Sequence, residues 1–257
     1  LRVYQQAQKD LPSTNNLNKI KFFLKSASIF YTGSIKGYLK QMIPLSIKNL
    51  LRRNLNRPPL GAAERPATLD FIKIYQNNIF GSKESRSGSG STMRQTRYIR
   101  TVFPVFFRSL GVQSILDVPC GDFNWLKEVD LKGIQYTGGD IVPALIEQNN
   151  KKYKSDERTF KMLNIITDDL PKSDLIICRD CLVHLKFEDG LKAIQNFKKS
   201  GSKYLLTTTF TDRDKNEDLF GIWRTLNLQK PPYNFLQPLK LINEKCTEGR
   251  GGFKDKC

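Results

Sequence analysis

Two patterns of apolar and polar positions divide the chain. From Leu17 to Leu51 apolar residues recur, among them Ile20, Phe23, Leu24, Ile29, Ile35, Leu39, Ile43, Ile47 and Leu50. Lysines interleave with them at Lys19, Lys21, Lys25, Lys36, Lys40 and Lys48. Gly33, Gly37 and Pro44 interrupt the stretch, which predicts two or three short amphipathic helices rather than one long one. Residues 1–16 ahead of it read as a polar lead-in, and Asn54 to Gly61 as a turn-rich linker.

The rest of the chain alternates short apolar runs with helical stretches. Thr68 precedes a helical stretch over Leu69–Tyr75, and a Gly/Ser loop from Gly81 to Ser91 leads into a helix over Thr92–Leu110. Strands are expected over Ser114–Pro119, Ile134–Asp140, Thr159–Leu163, Leu175–Cys178 and Tyr204–Thr209, with Leu239–Glu244 a sixth. Helices are expected near Phe123, over Val142–Tyr153 and over Phe187–Lys199. This alternation implies an α/β fold, a Rossmann-like, doubly wound and mostly parallel sheet carrying a helical N-terminal extension. The expected division is residues 1–67 for the extension and linker and 68–257 for the α/β domain.

Charge sharpens that division. Residues 1–65 hold 12 Lys and Arg against Asp10 and Glu64, so more than half of the net +17 lies in the first quarter. A basic helical segment of this kind packs on its own domain or meets a polyanion. Peripheral contact of residues 17–57 with anionic membrane is the favoured partner reading, ahead of nucleic acid. No run of about 18 apolar residues exists to span a bilayer. Sixteen Phe, nine Tyr and two Trp in 257 residues exclude a wholly disordered chain. The five cysteines (Cys120, Cys178, Cys181, Cys246, Cys257) form no disulfide framework, so a reducing, cytoplasmic setting is expected, with membrane association through the extension. Cys178 and Cys181 have metal-ligand spacing but lack a second pair, so no metal is assigned. The opening at Leu1 is read as a fragment or processed form, and the first 15 residues lack the apolar core of a signal peptide.

In doubly wound sheets ligands bind beyond the carboxyl ends of the strands. Those ends carry Asp117 to Asp122, Asp140, Asn164 and Cys178 to His184. An acid such as Asp140, closing the second strand, accepts hydrogen bonds from two adjacent ribose hydroxyls. The first loop selects among nucleotide cofactors. A dinucleotide site needs G-x-G-x-x-G so that a pyrophosphate can approach, whereas this loop offers Gly121 beside Asp122, and a carboxylate there repels pyrophosphate. A nicotinamide-dependent dehydrogenase is therefore disfavoured. The Gly/Ser loop before the helix from Thr92 presents backbone N–H groups to an anion, without the Lys-Ser/Thr ending of a nucleotide P-loop.

Four segments carry a resemblance. Leu116-Asp-Val-Pro-Cys-Gly-Asp122, Gly139-Asp140, Leu163-Asn164 and Cys178-Arg-Asp-Cys-Leu-Val-His-Leu185 resemble the class I S-adenosylmethionine-dependent methyltransferases, over roughly Thr92 to the C-terminus. The Pro119-Cys-Gly-Asp-Phe-Asn-Trp125 loop and the Gly/Ser loop are similar to an uncharacterised subgroup often found beside glycan-modifying enzymes. Two departures stand out: Pro119 and Phe123 occupy positions usually held by glycines, and Asn164 replaces the usual acid at the third strand. The resemblance implies S-adenosylmethionine as cofactor and S-adenosylhomocysteine as product. It implies that Gly121 admits the cofactor, that Asp140 with Ile141 binds the ribose, and that Asn164 with Ile165 holds the adenine. Asp122 would lie near the methionyl amino group, Trp125 over the methionyl arm or in the core, and Asp117 and Arg179 beside them. In the resembling proteins a last strand follows the Asp-Lys near the end, so a C-terminal truncation is expected.

Methyl transfer to an alcohol needs the hydroxyl proton removed as oxygen attacks. His184, the chain's single histidine, lies just beyond the fourth strand, with Asp180 four residues before it; in a helix the two would share a face. His184 is the candidate general base and Asp180 its orienting partner. Arg224 and Asn227 are the candidate acceptor-binding residues, from a segment whose aromatic, Arg and amide mixture suits a sugar or other polar acceptor. The expected activity is O-methylation of a polar small molecule or glycan (EC 2.1.1.-). The alternatives are a nucleic-acid methyltransferase, disfavoured because Asn/Asp-Pro-Pro-Tyr/Phe is absent at the fourth strand, and a non-catalytic binding module that has lost the cofactor.

Overall fold

The computed structural model describes residues 2–5 and 70–257. The basic segment 17–57, and with it the predicted amphipathic helices and membrane contact, lies outside the described residues. A seven-stranded sheet runs through the domain in the order β4-β3-β2-β5-β6-β1-β7. Its strands are β1 (Arg2–Gln5), β2 (Ser114–Asp117), β3 (Gln135–Asp140), β4 (Arg158–Met162), β5 (Leu175–Cys178), β6 (Tyr204–Thr207) and β7 (Lys240–Leu241). Five of them, β4-β3-β2-β5-β6, are parallel. Strand order reverses between β2 and β5, which places the ligand crevice beyond Asp117 and Cys178.

The short apolar strands are buried on both faces, as parallel strands under crossover helices must be. Side chains alternate between two cores. Ile115, Leu175 and Ile177 join Phe103 and Phe107 of α2 (Arg97–Ser109) and Ile146 of α3 (Pro143–Tyr153). Leu116, Ile176 and Cys178 join Ala193, Ile194 and Phe197 of α4 (Phe187–Lys199). In α2 the buried residues Ile99, Phe103, Phe106 and Phe107 repeat at helical spacing, so one stripe faces the sheet. A short α1 (Phe71–Gln76) is capped by Asp70, whose side chain accepts from the Lys73 N–H, while Thr68 lies outside the described residues.

Four features depart from the sequence reading. No α-helix follows β2; the chain turns through Gly121 and Phe123, both at positive φ, into a single 3₁₀ turn over Leu126–Glu128. The helix expected from Thr92 begins at Arg97, six positions past the end of the Gly/Ser loop at Ser91, so that loop's backbone N–H groups do not adjoin the helix N-terminus. The sixth strand shrinks to Lys240–Leu241. The lead-in residues Arg2–Gln5 form a strand, antiparallel to β6 with Arg2 opposite Thr207 and Gln5 opposite Tyr204. Two positions beyond Thr207 along the same line, Thr209 exchanges backbone hydrogen bonds of 2.8 and 2.9 Å with Cys257. The first strand thus pairs with β6, and the last residues pair with the segment that directly follows it.

Candidate functional site

Beyond the carboxyl ends of β2, β3 and β5 lies a cavity of about 630 Å³, within the range typical of small-molecule sites. One side of its lining is built around Asp140. Its carboxylate, 6% exposed, accepts the Gly121 N–H at Oδ2 and the Val142 N–H at Oδ1, both at 3.0 Å. Each oxygen keeps a further lone pair, so the group remains competent for a vicinal diol. Burial pushes its pKa up to about 6, against the pull of those N–H donors. Gly121 sits at φ 55°, and a Cβ there would fall 2.1 Å from Ser87 Oγ. Its carbonyl accepts from the buried Asn149 Nδ2 of α3 at 2.8 Å. The loop is therefore held from three sides with its bare Cα toward the Ser87 hydroxyl.

Ile141, Asn164 and Ile165 line the same side, together with Asp117, Gly121, Trp125 and Arg179. Asn164 Oδ1 already accepts the Ile166 N–H at 2.9 Å and has one lone pair left for an exocyclic amine. Asp117 is buried, takes the Tyr136 hydroxyl at 2.8 Å, and has its pKa raised by burial to about 7. Trp125 is 7% exposed, meets Phe103 edge-on in the core, and also lines the cavity beneath the Arg179 guanidinium.

Three predicted residues do not reach the cavity. Asp122 instead clamps the Gly/Ser loop, accepting Ser85 Oγ at 3.0 Å, Arg86 N–H at 2.8 Å and Ser87 Oγ at 3.1 Å. An acid beside a serine-rich loop finds hydroxyl and amide donors nearby, and here these take both of its oxygens. Asn227 is a buried brace that donates to the Thr211 and Arg213 carbonyls at 3.2 and 2.9 Å. Arg224 lies over the Phe187 ring and donates to the Val183 carbonyl at 3.3 Å. Neither is placed to read an acceptor in this cavity.

The other side of the cavity is bounded by His184, Asp180, Lys256, Glu248, Phe80, Ile222 and Trp223. His184 and Asp180 share it, but not as a helical pair. Asp180 has φ 52°, and only Leu182–His184 form a 3₁₀ turn. The imidazole Nδ1 lies 2.5 Å from the Ile222 carbonyl oxygen. A carbonyl only accepts, so Nδ1 carries the proton and Nε2 the lone pair. Burial lowers the His184 pKa from its ordinary value, with Ile222 and Asp180 opposing that shift, so the ring is neutral at pH 7.

Asp180 belongs to an ionic network, largely buried, that no local sequence pattern marks. Lys256 Nζ lies 2.7 Å from Asp180 Oδ2 and 3.5 Å from Glu244. Arg179 makes a forked pair with Glu244, Nε at 3.1 Å and Nη2 at 2.6 Å, and reaches Asp180 at 3.2 Å. Burial disfavours the Asp180 charge, but Arg179 and Lys256 outweigh it and hold the carboxyl below the usual carboxylate range. Glu248 accepts Ser89 Oγ at 2.5 Å, which ties the Gly/Ser loop to this network. Gly90 lets the loop pass, since a Cβ there would stand 2.9 Å from Asp180 Oδ2.

No curated protein matches the chain by sequence. The fold is similar to that of magnesium protoporphyrin IX methyltransferase from Synechocystis PCC 6803, solved with bound SAH, at 14% identity, covering 56% of this chain and 69% of that one with a TM-score of 0.42. It is also similar to the N-methyltransferase NodS from Bradyrhizobium japonicum WM9, at 16% identity, 54% and 72% coverage and a TM-score of 0.44. The model of one family, described as a methyltransferase domain, matches residues 82–244, more than half of the chain. The chain belongs to the methyltransferase domain family.

Proposed function

We propose that this domain binds S-adenosylmethionine and catalyses transfer of its methyl group to a hydroxyl oxygen of a small-molecule acceptor, with His184 as the general base. The observation that carries the reading is the pairing, in one cavity, of a buried carboxylate, Asp140, with a neutral histidine whose tautomer leaves a basic Nε2.

The residues present fit the cofactor. Asp140 would receive the ribose hydroxyls, and Ile141 and Ile165 would flank the adenosine, with the Asn164 carbonyl oxygen toward the adenine amine. Gly121 and Trp125 would border the methionyl arm. The bound cofactor supplies an activated methyl group on a sulfonium. The protein's own contribution is alignment and proton removal. Orientation of acceptor and donor is worth about 7–11 kcal/mol of barrier. His184 Nε2 receives the hydroxyl proton as oxygen attacks, while the Ile222 carbonyl holds the ring and partly offsets the imidazolium charge. Asp180 acts on His184 through its charge rather than through a hydrogen bond to the ring.

The test is transfer of radiolabelled methyl from S-adenosylmethionine to a panel of hydroxylated compounds, with His184→Asn in parallel. Transfer that falls at least a hundredfold in the variant, with S-adenosylhomocysteine affinity retained, supports the reading. Equal transfer by the variant removes His184 from the mechanism.

A further inference from the structure

We infer that the acceptor is a phenol, an aromatic ring bearing a hydroxyl, held against Phe80 and Trp223 with that hydroxyl at His184. The inference rests on the methyltransferase reading above and names the substrate class of the same site. The imidazole is itself framed by aromatic rings, with Phe80 at 4.8 Å and Phe71 edge-on at 6.4 Å. Ile222, whose carbonyl orients His184, is followed directly by Trp223. The Trp223 indole borders the cavity, remains 37% exposed, and packs against Phe253 at 5.0 Å and Phe210 at 5.9 Å, which also line it. An aromatic ligand gains from such a wall through both buried apolar area and ring–ring contact.

A glycan, the acceptor expected from the sequence, makes different demands. Each of its hydroxyls needs a partner once it leaves water. The polar side chains at this end already answer one another: Asp180 is bonded to Lys256 at 2.7 Å and to Thr208 at 3.2 Å, and Glu248 to Ser89 at 2.5 Å. A sugar ring would have to satisfy several hydroxyls at once on oxygens that already carry bonds, whereas a ring with one hydroxyl asks only for His184 Nε2. The chemistry agrees. A phenolic hydroxyl has a pKa near 10, so a neutral imidazole removes its proton far more readily than that of an aliphatic alcohol. In the step, the aryl oxygen forms its bond to the methyl carbon as the carbon–sulfur bond breaks. The electron pair of that bond stays on sulfur, and the phenolic proton passes to Nε2 and then to solvent.

The experiment titrates the full chain, saturated with S-adenosylhomocysteine, with 2-naphthol, cyclohexanol and methyl α-glucopyranoside by calorimetry, and follows labelled methyl transfer to each from S-adenosylmethionine. Support is 2-naphthol binding at least tenfold more tightly than the other two and being methylated, with Trp223→Ala and, separately, Phe80→Leu each weakening it about tenfold at unchanged S-adenosylhomocysteine affinity. Two variants on different elements guard against one misfolding. Equal binding of the glucoside, indifference of 2-naphthol to both substitutions, or no phenol binding by protein that holds S-adenosylhomocysteine overturns the inference and leaves the methyltransferase reading standing. Failure to bind S-adenosylhomocysteine overturns both.

Discussion

Ser87 Oγ would lie 2.1 Å from a Cβ placed on Gly121, although the two residues are 34 positions apart in sequence. The Gly/Ser loop is thus seated on the first-strand loop, and Asp122 fixes it there through Ser85, Arg86 and Ser87. Gly121→Ala must displace that loop while holding a non-glycine residue at φ 55°, a strain of about 1–3 kcal/mol. We expect lower thermal stability and weaker S-adenosylhomocysteine binding. Adding Ser87→Gly should restore part of the loss, since it relieves the clash and leaves the backbone strain. A double mutant no better than the single one contradicts the packing argument.

Asp117 provides a pH test with a definite sign. Its folded pKa, raised by burial to about 7, lies above its ordinary value of 3.8, so the folded state retains a proton that the unfolded state has released across that interval. Its contribution to stability is fully present below about pH 4 and is lost as pH rises through about 7. Asp117→Asn mimics the protonated form and still accepts the Tyr136 hydroxyl. Urea denaturation should show variant and parent nearly equal at pH 4, with the variant gaining by a few kcal/mol toward pH 8. A gain that shrinks with rising pH contradicts the assignment.

The ionic network should be fragile to loss of one member. Lys256→Met removes the cation that lies 2.7 Å from Asp180 and leaves buried carboxylates with Arg179 as their remaining close cation, a loss of about 3–5 kcal/mol by analogy with broken buried pairs. Glu244→Gln should cost a similar amount, and the double variant less than the sum of the two. Strict additivity in denaturant midpoints would mean that the residues act independently.

The pH–rate profile reads His184 directly. Burial holds its pKa below the ordinary 6.5, and the ring must be neutral to accept a proton. With an acceptor in hand, kcat/KM should fall on an acid limb centred below pH 6.5 and be level from pH 7 to 8. His184→Gln should lower kcat by about 10²–10⁴ with S-adenosylhomocysteine affinity unchanged. An unchanged acid limb in the variant would assign that limb to another group.

What was legible in the sequence followed local pattern. The strands Leu175–Cys178 and Gln135–Asp140 and the helix Phe187–Lys199 were read within a residue because each is short, apolar or regularly periodic, and flanked by turn residues. Asp140, Gly121 and Asn164 were placed by strand-end logic. What escaped depends on contacts between distant segments. Lys256 and Glu244 look like ordinary surface charges in sequence, and burial reveals them only when the chain's last residues return to β6. Asp122 was assigned to the ligand because a loop acid beside the key glycine invites it; its serine partners lie about 36 residues earlier. The partner of His184 was sought at helical spacing and proved to be a backbone carbonyl, which no side-chain pattern encodes. Arg224 and Asn227 were chosen for chemistry alone and serve to brace the chain.

The most direct test of the central claim is calorimetric titration of the full chain with S-adenosylhomocysteine, beside Asp140→Ala. Asp140 is buried, lines the cavity and organises the Gly121 loop, so micromolar binding that falls at least tenfold in the variant is the expected result. Absence of binding by the folded parent, or equal binding by Asp140→Ala, would contradict the cofactor site.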